Sequence, residues 1–549
     1  MIKKNKRKII AFVLFFAVAG FCACASQTSP FNRGGVDFFS ENIELVSKNK
    51  LTAPPKTFEA WVKISESDES RRDGVIVGND AADSGISVIS FGVTADGSPW
   101  LDLKDEMGSE SNYIVPANVR SGEWVHIAIV HDIDIGIDIE THKLICYVNG
   151  EIADESTSPM TRDVMPIRPL KIGGDYLYDN ARRFPGEIAD IRIWSRPLPQ
   201  EEIRENMNAA LKGSEDGLMA NWLSDGKPSG INDGIYKDNS VNKNDARIYH
   251  EWLEPEFAKG DYAVAVVPDI QFLTKIYPEL LAKTMDWIRD NAERLNIKFV
   301  IQVGDLTDTN IMTEWERARD NLSKLDGVVP YAFVPGNHDY NGIPSARDTS
   351  FFNIFMKYSK YSQTPAFGGA YQEKKLDNTY YYFTAGEINY MVLCLEMTPR
   401  VPVIDWANKI VEDNPDRSVI MVTHSYMAYN GWRSSMSMSD MYDMYDADSN
   451  GYDGEQLWEN FVSRHKNIIM VLCGHIPYDD IVIRTDKGIN GNIVPQLMID
   501  AQDMDYYRGG QGMIALLTFS NNGQDVAVNW YSVERNALFR DWNQFAFSY

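Results

Sequence analysis

Two rhythms of apolar and polar residues divide the chain. From about Val36 to Glu254 short alternating segments prevail, among them residues 57–64 (TFEAWVKI), 123–132 (EWVHIAIVHD) and 144–152 (LICYVNGEI), separated by Gly, Asn and Asp turns. A period of two puts one face of each strand into a core, so this segment is expected to be an all-β sandwich. After Pro255 apolar runs alternate with helix-period segments, which signals an α/β unit. Residues 278–296 make the clearest helix, with Leu281, Met285, Ile288, Ala292 and Leu295 at three-to-four spacing. It links the strand-like runs 262–267 (YAVAVV) and 298–303 (KFVIQV) as a crossover.

The first residues follow a third pattern. MIKKNKRKIIAFVLFFAVAGFCACAS has a basic start, an apolar run from Ile9 to Phe21 and small residues after it, the form of an export signal over residues 1–25. The run is too short for a comfortable membrane span, and no later segment is long and apolar enough to be one. Two readings of its processing stand: cleavage ahead of Ala25-Ser26, or Cys24 as a lipid-modified first residue that attaches the chain to a membrane. Either way the protein is expected outside the cytoplasm, periplasmic, at the cell surface as a lipoprotein, or secreted.

The formal charge is −25, and loss of the leader with Lys3, Lys4, Lys6, Arg7 and Lys8 makes it more negative still. A nucleic-acid polymer is therefore not an expected partner. Cys146, Cys394 and Cys473 sit inside apolar runs and read as buried thiols rather than a disulfide framework.

In open α/β sheets ligands gather beyond the carboxyl ends of strands. Here AVAVV is followed by Pro268-Asp269-Ile270-Gln271, FVIQV by Gly304-Asp305-Leu306-Thr307-Asp308, and YAFV by Pro335-Gly336-Asn337-His338-Asp339. VIMV is followed by Thr423-His424, and IIMVLC by Gly474-His475. Five strand ends in succession deliver Asp, Asp, Asn, His and His, the donors of a hard-to-borderline metal site. Gly304, Gly336 and Gly474 each precede a candidate ligand, where the missing Cβ leaves room for a sharp turn.

The order and spacing of these motifs resemble the calcineurin-like metallophosphoesterases, whose pattern is DxH, GDxxD, GNHD, a lone His and GHxH. The likeness covers residues 259–549, is strongest at GDLTD and GNHD, and extends to LEMTPRVPVIDWANKI and GGQG. It implies a four-layer αββα domain and one or two divalent cations, with Mn, Fe, Zn, Mg or Ca all open. It further implies that Asp305 bridges both cations, Asn337, His424 and His475 complete the second position, and Asp269 serves the first, where the Gln271 carbonyl and water are left to take the place of the family's histidines. His338 would be the acid–base residue oriented by Asp339, and Asp308 an anchor behind the ligands. Two positions depart from the pattern: Gln271 stands where DxH has His, and Pro477 where GHxH has its second His. After residue 260 the remaining histidine is His465, read as a helix-end surface residue. The first position is thus expected to hold oxygen donors, which favour Mg, Mn or Ca over Zn.

Residues 30–255 resemble the laminin-G-like, concanavalin-type jelly rolls, on KTFEAWVKI, the hairpin YVNGE, PGEIADIRIWSRPLPQEEI and the closing GLMANWLSDG and DNSVNKNDA. That likeness implies glycan or cell-surface binding, or a spacer, with Ca in the jelly roll a further option. The stretch DIDIGIDIE (132–140) places acids on one strand face, read first as a solvated hairpin. The long segment after His424, SYMAYNGWRSSMSMSDMYDMYDADSNGYDGEQLW, is read as a lid or substrate wall with Tyr426, Trp432 and Arg433 as contacts. Its DADSNGYDG lacks the twelfth-position acid of a calcium loop, where Leu457 sits, and reads as structural. Asp500 and Gln502 read as fold-supporting.

The leading functional expectation is a metal-dependent phosphoester hydrolase, mono- or diesterase, with a lectin-like targeting domain. On it, hydrolysis should survive removal of residues up to about Glu254. The alternative is a non-catalytic glycan-binding surface protein with a degenerate phosphoesterase domain, which the missing histidines would suit but the retained Asp269, Asn337, His338 and Asp339 would not. Glycoside hydrolysis needs a pair of facing carboxylates, and no pair stands out.

Overall fold

The computed structural model describes residues 35–38, 44–65, 72–80, 88–105, 109–132, 142–160, 162–166, 168–176, 182–223, 235–435, 451–504 and 509–549. The expected leader with Cys24, the acid-isoleucine stretch 133–140 and residues 436–450 of the long segment after His424 lie outside them.

The first half is the expected sandwich. One sheet runs through Thr57–Lys63, Val125–Asp132 and Glu187–Trp194, the other through Gly74–Gly78, Val88–Val93 and Pro99–Lys104, all antiparallel to their neighbours. Alternate residues Phe58, Ala60 and Val62 of the first sheet share one core with Ile89, Phe91 and Val93 of the second. That is the period of two at work, although the alternate set Thr57, Glu59 and Trp61 is buried as well, with Glu59 Oε1 accepting from Trp194 Nε1–H at 2.9 Å.

The second half also holds two sheets, but its central strands are buried on both faces. One sheet contains Tyr262–Val267, Ile297–Gln302 and Tyr331–Phe333 in parallel. The other contains Ile388–Cys394, Ser418–Val422, Ile468–Cys473 and Ile493–Asp500 in parallel. Between the sheets Val264, Val266, Phe299 and Ile301 meet Val392, Cys394, Ile420 and Leu472. On the outer faces Ala263, Ala265 and Val300 lie under Leu281, Met285 and Trp315, while Met391, Val419 and Val471 lie under Val403, Ile404 and Leu457. Burial on both faces explains why these strands read as unbroken apolar runs. The four layers are helices, sheet, sheet, helices. Cys146, Cys394 and Cys473 are free and buried.

Two details differ from the sequence reading. The helix Pro278–Asn291 stops short of 296, because Asn296 adopts a left-handed φ of 50° that drops the chain into the strand Ile297–Gln302. The C-terminal sheet also reaches back across the expected boundary: Trp252–Leu253 pairs with Ala537–Phe539.

The halves are locked together by buried charge. Arg168 of the sandwich donates from Nε to Asp480 Oδ2 at 3.1 Å, while Arg540 Nη1 and Asn543 Nδ2 donate to Asp480 Oδ1 at 3.0 and 2.9 Å. Burial would raise the Asp480 carboxyl, but the two guanidinium groups hold it below the ordinary carboxylate range. Around this junction the Arg168 guanidinium lies 4.6 Å from the centre of the Tyr478 ring, and Tyr176 and Tyr249 pack on Trp542 with ring centres 5.7 and 6.0 Å away.

Candidate active site

The loops after the parallel strands converge at one rim. Asp269 follows Tyr262–Val267, Asp305 follows Ile297–Gln302, His424 follows Ser418–Val422, and one ligand atom from each lies within 4.8 Å of the others. Asp305 and His475 take left-handed φ values of 49° and 76°, which turn the chain sharply at the strand ends. The approach is too close for a side chain at the neighbouring glycines: a Cβ on Gly336 would fall 2.1 Å from Asp305 Oδ1, and one on Gly474 2.2 Å from Asp269 Oδ1.

His424 sits at the centre, fully buried. Its Nδ1 is 3.0 Å from the Val303 carbonyl, which can only accept, so Nδ1 carries the proton. Nε2 then turns a lone pair toward Asn337 Oδ1 at 3.1 Å and Asp305 Oδ2 at 3.3 Å. Three acceptors facing one another repel unless a cation or an extra proton lies among them. The His475 ring stands 5.0 Å from that of His424, and the His475 backbone N–H donates to Asp269 Oδ2 at 3.1 Å.

The electrostatics carry the same message. Burial and then the neighbouring acids Asp500 and Asp305 push Asp269 well above the usual carboxylate range. Asp500 and Asp339 are each pushed up to about 7, burial being the main cause. Asp305 resists burial and lies low because His424 is beside it, and Asp305 in turn lifts His424 against the burial that would lower it. His475 is pushed down to about 3 by burial and by His424, which keeps it in the neutral form that ligates metals. Among the described residues neither lysine nor arginine pairs with Asp269, Asp305, Asp339 or Asp500. A divalent cation is the compensation such a cluster lacks.

Two buried oxygens test the fit directly. Asp269 Oδ1 and Gln271 Oε1 are both enclosed and have no hydrogen-bond partner. An unsatisfied buried acceptor costs about 1–3 kcal/mol, and a cation at this rim would give both oxygens a partner. The residues present therefore fit a divalent cation: ligand atoms of Asp269, Asp305 and His424 lie together, with Asn337 Oδ1 beside His424 and the His475 ring next to it.

His338 is half-exposed beside them. Its backbone N–H donates to Asp305 Oδ1 at 3.0 Å, and its Nδ1–H donates to the Asp308 carbonyl oxygen at 2.6 Å. The ring is thus oriented by Asp308, which is itself paired with Lys275. This corrects the role expected of Asp339. Its carboxylate accepts from the backbone N–H groups of Gly336, Leu306 and Thr307 and from the Thr307 hydroxyl, tying the two ligand loops together out of reach of the His338 ring. It is a loop clamp, not an acid–base group.

Two of the expected substrate contacts also turn inward. Tyr426 donates its hydroxyl to Gln496 Oε1 at 3.0 Å, and Arg433 spends its guanidinium on Gln496, Glu455 and Asp486 while lying over the Trp458 ring. Trp432 alone of the three faces outward, 45% exposed. The end of DADSNGYDG is structural, since Asp453 caps the helix Gly454–Asn460 through Gln456 N–H. His465 is buried against Asn408 rather than on the surface.

Asp500 and Gln502 belong to the site although they read as fold-supporting. Gln271 Nε2 donates to Gln502 Oε1, and Gln502 donates from its backbone N to Asp500 Oδ1 at 3.0 Å and from Nε2 to Asp500 Oδ2 at 3.2 Å. Asp500 ends the strand Ile493–Asp500, which runs parallel to Ile468–Cys473, so the strand-end rule that found the other ligands would have found it. Pro495 inside that strand disguised it.

The uncharacterized protein YvnB of Bacillus subtilis (strain 168) is 28% identical over 284 residues, covering 50% of this chain and 20% of YvnB, so the chain spans about a fifth of that relative. Similar solved structures include one described as a candidate carbohydrate binding protein from Bacteroides ovatus, with 20% identity over 37% of this chain and 55% of that one and a TM-score of 0.28. A heptameric SAP-like pentraxin from Limulus polyphemus shares 17% identity over 31% of this chain and 75% of its own, with a TM-score of 0.23. The CBM40 of the Ruminococcus gnavus IT-sialidase shares 14% over 29% and 92%, with a TM-score of 0.24. Residues 40–204 match the concanavalin A-like lectin/glucanases superfamily and residues 262–479 match the calcineurin-like phosphoesterases, so the chain joins a lectin-like region to a calcineurin-like phosphoesterase region in the order its motifs imply.

Proposed function

We propose that the C-terminal half hydrolyses phosphoesters with the aid of divalent cations, and that the lectin-like half holds it to a glycan or cell surface outside the cytoplasm. The observation that carries the reading is the convergence of His424 Nε2, Asn337 Oδ1 and Asp305 Oδ2 beside the unpartnered oxygens of Asp269 and Gln271. Cations held there would acidify water and offset charge on a phosphoryl group. His338 supplies the proton chemistry. With Nδ1–H committed to Asp308, its Nε2 is the free end, an acceptor in the neutral ring and a donor to a leaving oxygen in the protonated one. Asp339 and the close approach at Gly336 keep that ring and Asp305 in register.

Export rests on the leader, and membrane attachment on Cys24 within it; no helix among the described residues is long and apolar enough to cross a membrane. The replacement of two family histidines by Gln271 and Pro477 favours a second reading, a surface glycan binder whose phosphoesterase half is inactive. Assay of the chelator-stripped chain on an aryl phosphate monoester and diester with Mg, Mn, Zn or Ca decides between them, with His338→Ala and Asn337→Ala beside it. Metal-dependent turnover lost in both variants supports hydrolysis. Turnover no higher than the variants with every metal supports the binder.

A further inference from the structure

We propose that Gln502 and Asp500 select the first cation: by fixing the amide of Gln271 with its carbonyl oxygen as the free end, they make that position all-oxygen, suited to Mg2+ or Mn2+ rather than Zn2+. The inference rests on the reading of this rim as a cation site. Its logic is directional. A carboxylate offers only acceptors, so Asp500 draws both the backbone N–H and the Nε2–H of Gln502. With Nε2 spent, Gln502 presents Oε1, and Gln271 must answer with its own Nε2. The amide of Gln271 is thereby locked with Oε1 turned away from the relay, buried and without a hydrogen-bond partner, as is Asp269 Oδ1 two residues earlier.

The chemistry of the donors follows. The carboxylates of Asp269 and Asp305 and the amide oxygen of Gln271 form a hard set. Oxygen donors suit Mg2+, Mn2+ and Ca2+, whereas imidazole suits Zn2+. The second position keeps two imidazoles, His424 and His475, so the two positions differ in kind. A histidine at 271 would have no use for Gln502, and a wrongly turned glutamine would offer the ion an N–H. Gln502 and Asp500 are positioning residues that make the substitution at 271 workable.

The test reads occupancy rather than turnover. The chelator-stripped chain is titrated with Mn2+, followed by the paramagnetic resonance of the free aqua ion, and then challenged with Zn2+, beside Gln502→Met, Asp500→Asn, Gln271→His and His424→Ala. Two classes of Mn2+ site are expected. Gln502→Met and Asp500→Asn should weaken one class roughly 10–100-fold, as loss of a partner behind a ligand does, and spare the class weakened in His424→Ala. Gln271→His should let Zn2+ displace Mn2+ from the first class at a lower concentration than in the parent. Unchanged Mn2+ affinities in the first two variants, or an unchanged Zn2+ challenge in Gln271→His, overturns the proposal. Where Gln502→Met and Asp500→Asn fail to fold by near-ultraviolet circular dichroism, Gln271→His decides. A chain that binds Mn2+ in this way but hydrolyses nothing would refute the hydrolytic reading and leave this one standing.

Discussion

Truncating Asp480 should cost more than truncating its partner Arg168, although both changes break the same ion pair. Asp480→Ala strands two buried guanidinium groups, Arg168 at 1% and Arg540 at 6% side-chain exposure. Removing one partner of a buried pair typically costs about 3–5 kcal/mol, because the other charge stays behind. Arg540 keeps Glu251 at 3.5 Å and Asp479 at 3.8 Å, which places the expected loss near the low end, about 3 kcal/mol. Arg168→Ala leaves Asp480 with Arg540 and Asn543, so the cost is one charged hydrogen bond and the contact with the Tyr478 ring, about 2–2.5 kcal/mol. Equilibrium urea unfolding of the full chain, followed by tryptophan fluorescence, measures both. Equal losses, or a greater loss for Arg168→Ala, would show that the second guanidinium does not depend on Asp480. The same site predicts a pH effect. Asp480 lies below its ordinary value when folded, so its stabilisation is complete above the unfolded carboxylate pKa of about 3.9 and disappears as the pH falls through the lower folded value. Asp480→Asn should flatten that acid limb.

Three further outcomes are expected. His338→Ala should lower kcat by roughly 10²–10⁴ with bound metal unchanged, since the ring acts on protons and its backbone N–H to Asp305 remains; metal analysis beside steady-state kinetics checks both halves. Asp339→Ala should lower the Tm and cost about 3 kcal/mol or more, because four donors lose their acceptor in a buried place, and calorimetry reads it. Arg433→Ala should destabilise the fold by about 3 kcal/mol through its buried contacts, whereas Trp432→Ala should leave the Tm within experimental scatter and alter KM alone.

The fold was legible wherever burial imposes a period. Alternation in residues 57–64 marks a sandwich strand, although its polar face is buried too, and the unbroken run in Ile468–Cys473 marks a strand apolar on both faces. The ligand set was legible because parallel strands deliver their loops to one rim, which turns position in the chain into proximity. Asp500 escaped because Pro495 breaks the look of a central strand, even though Ile493–Asp500 lies between two others. The role of Asp339 was misread because adjacency to His338 in sequence says nothing of direction: in that tight turn the two side chains diverge, one toward solvent and one into the loops. Tyr426 and Arg433 sit in a segment without periodicity, where no rule tells the inward side chain from the outward one.

The junction between the halves also bears on the order in which the protein is completed. Arg168 and Asp480 are 312 residues apart in the chain, and Trp252 waits for Phe539 to close its sheet. Contacts of such separation form late, since the intervening loop must be closed first. During synthesis the sandwich emerges first, with Arg168, Tyr176 and Tyr249 facing water, and Asp480, which covers Arg168, follows 312 residues after it. Until then the nascent chain carries a cationic, aromatic patch, the kind of transient surface on which aggregation starts and holding chaperones act.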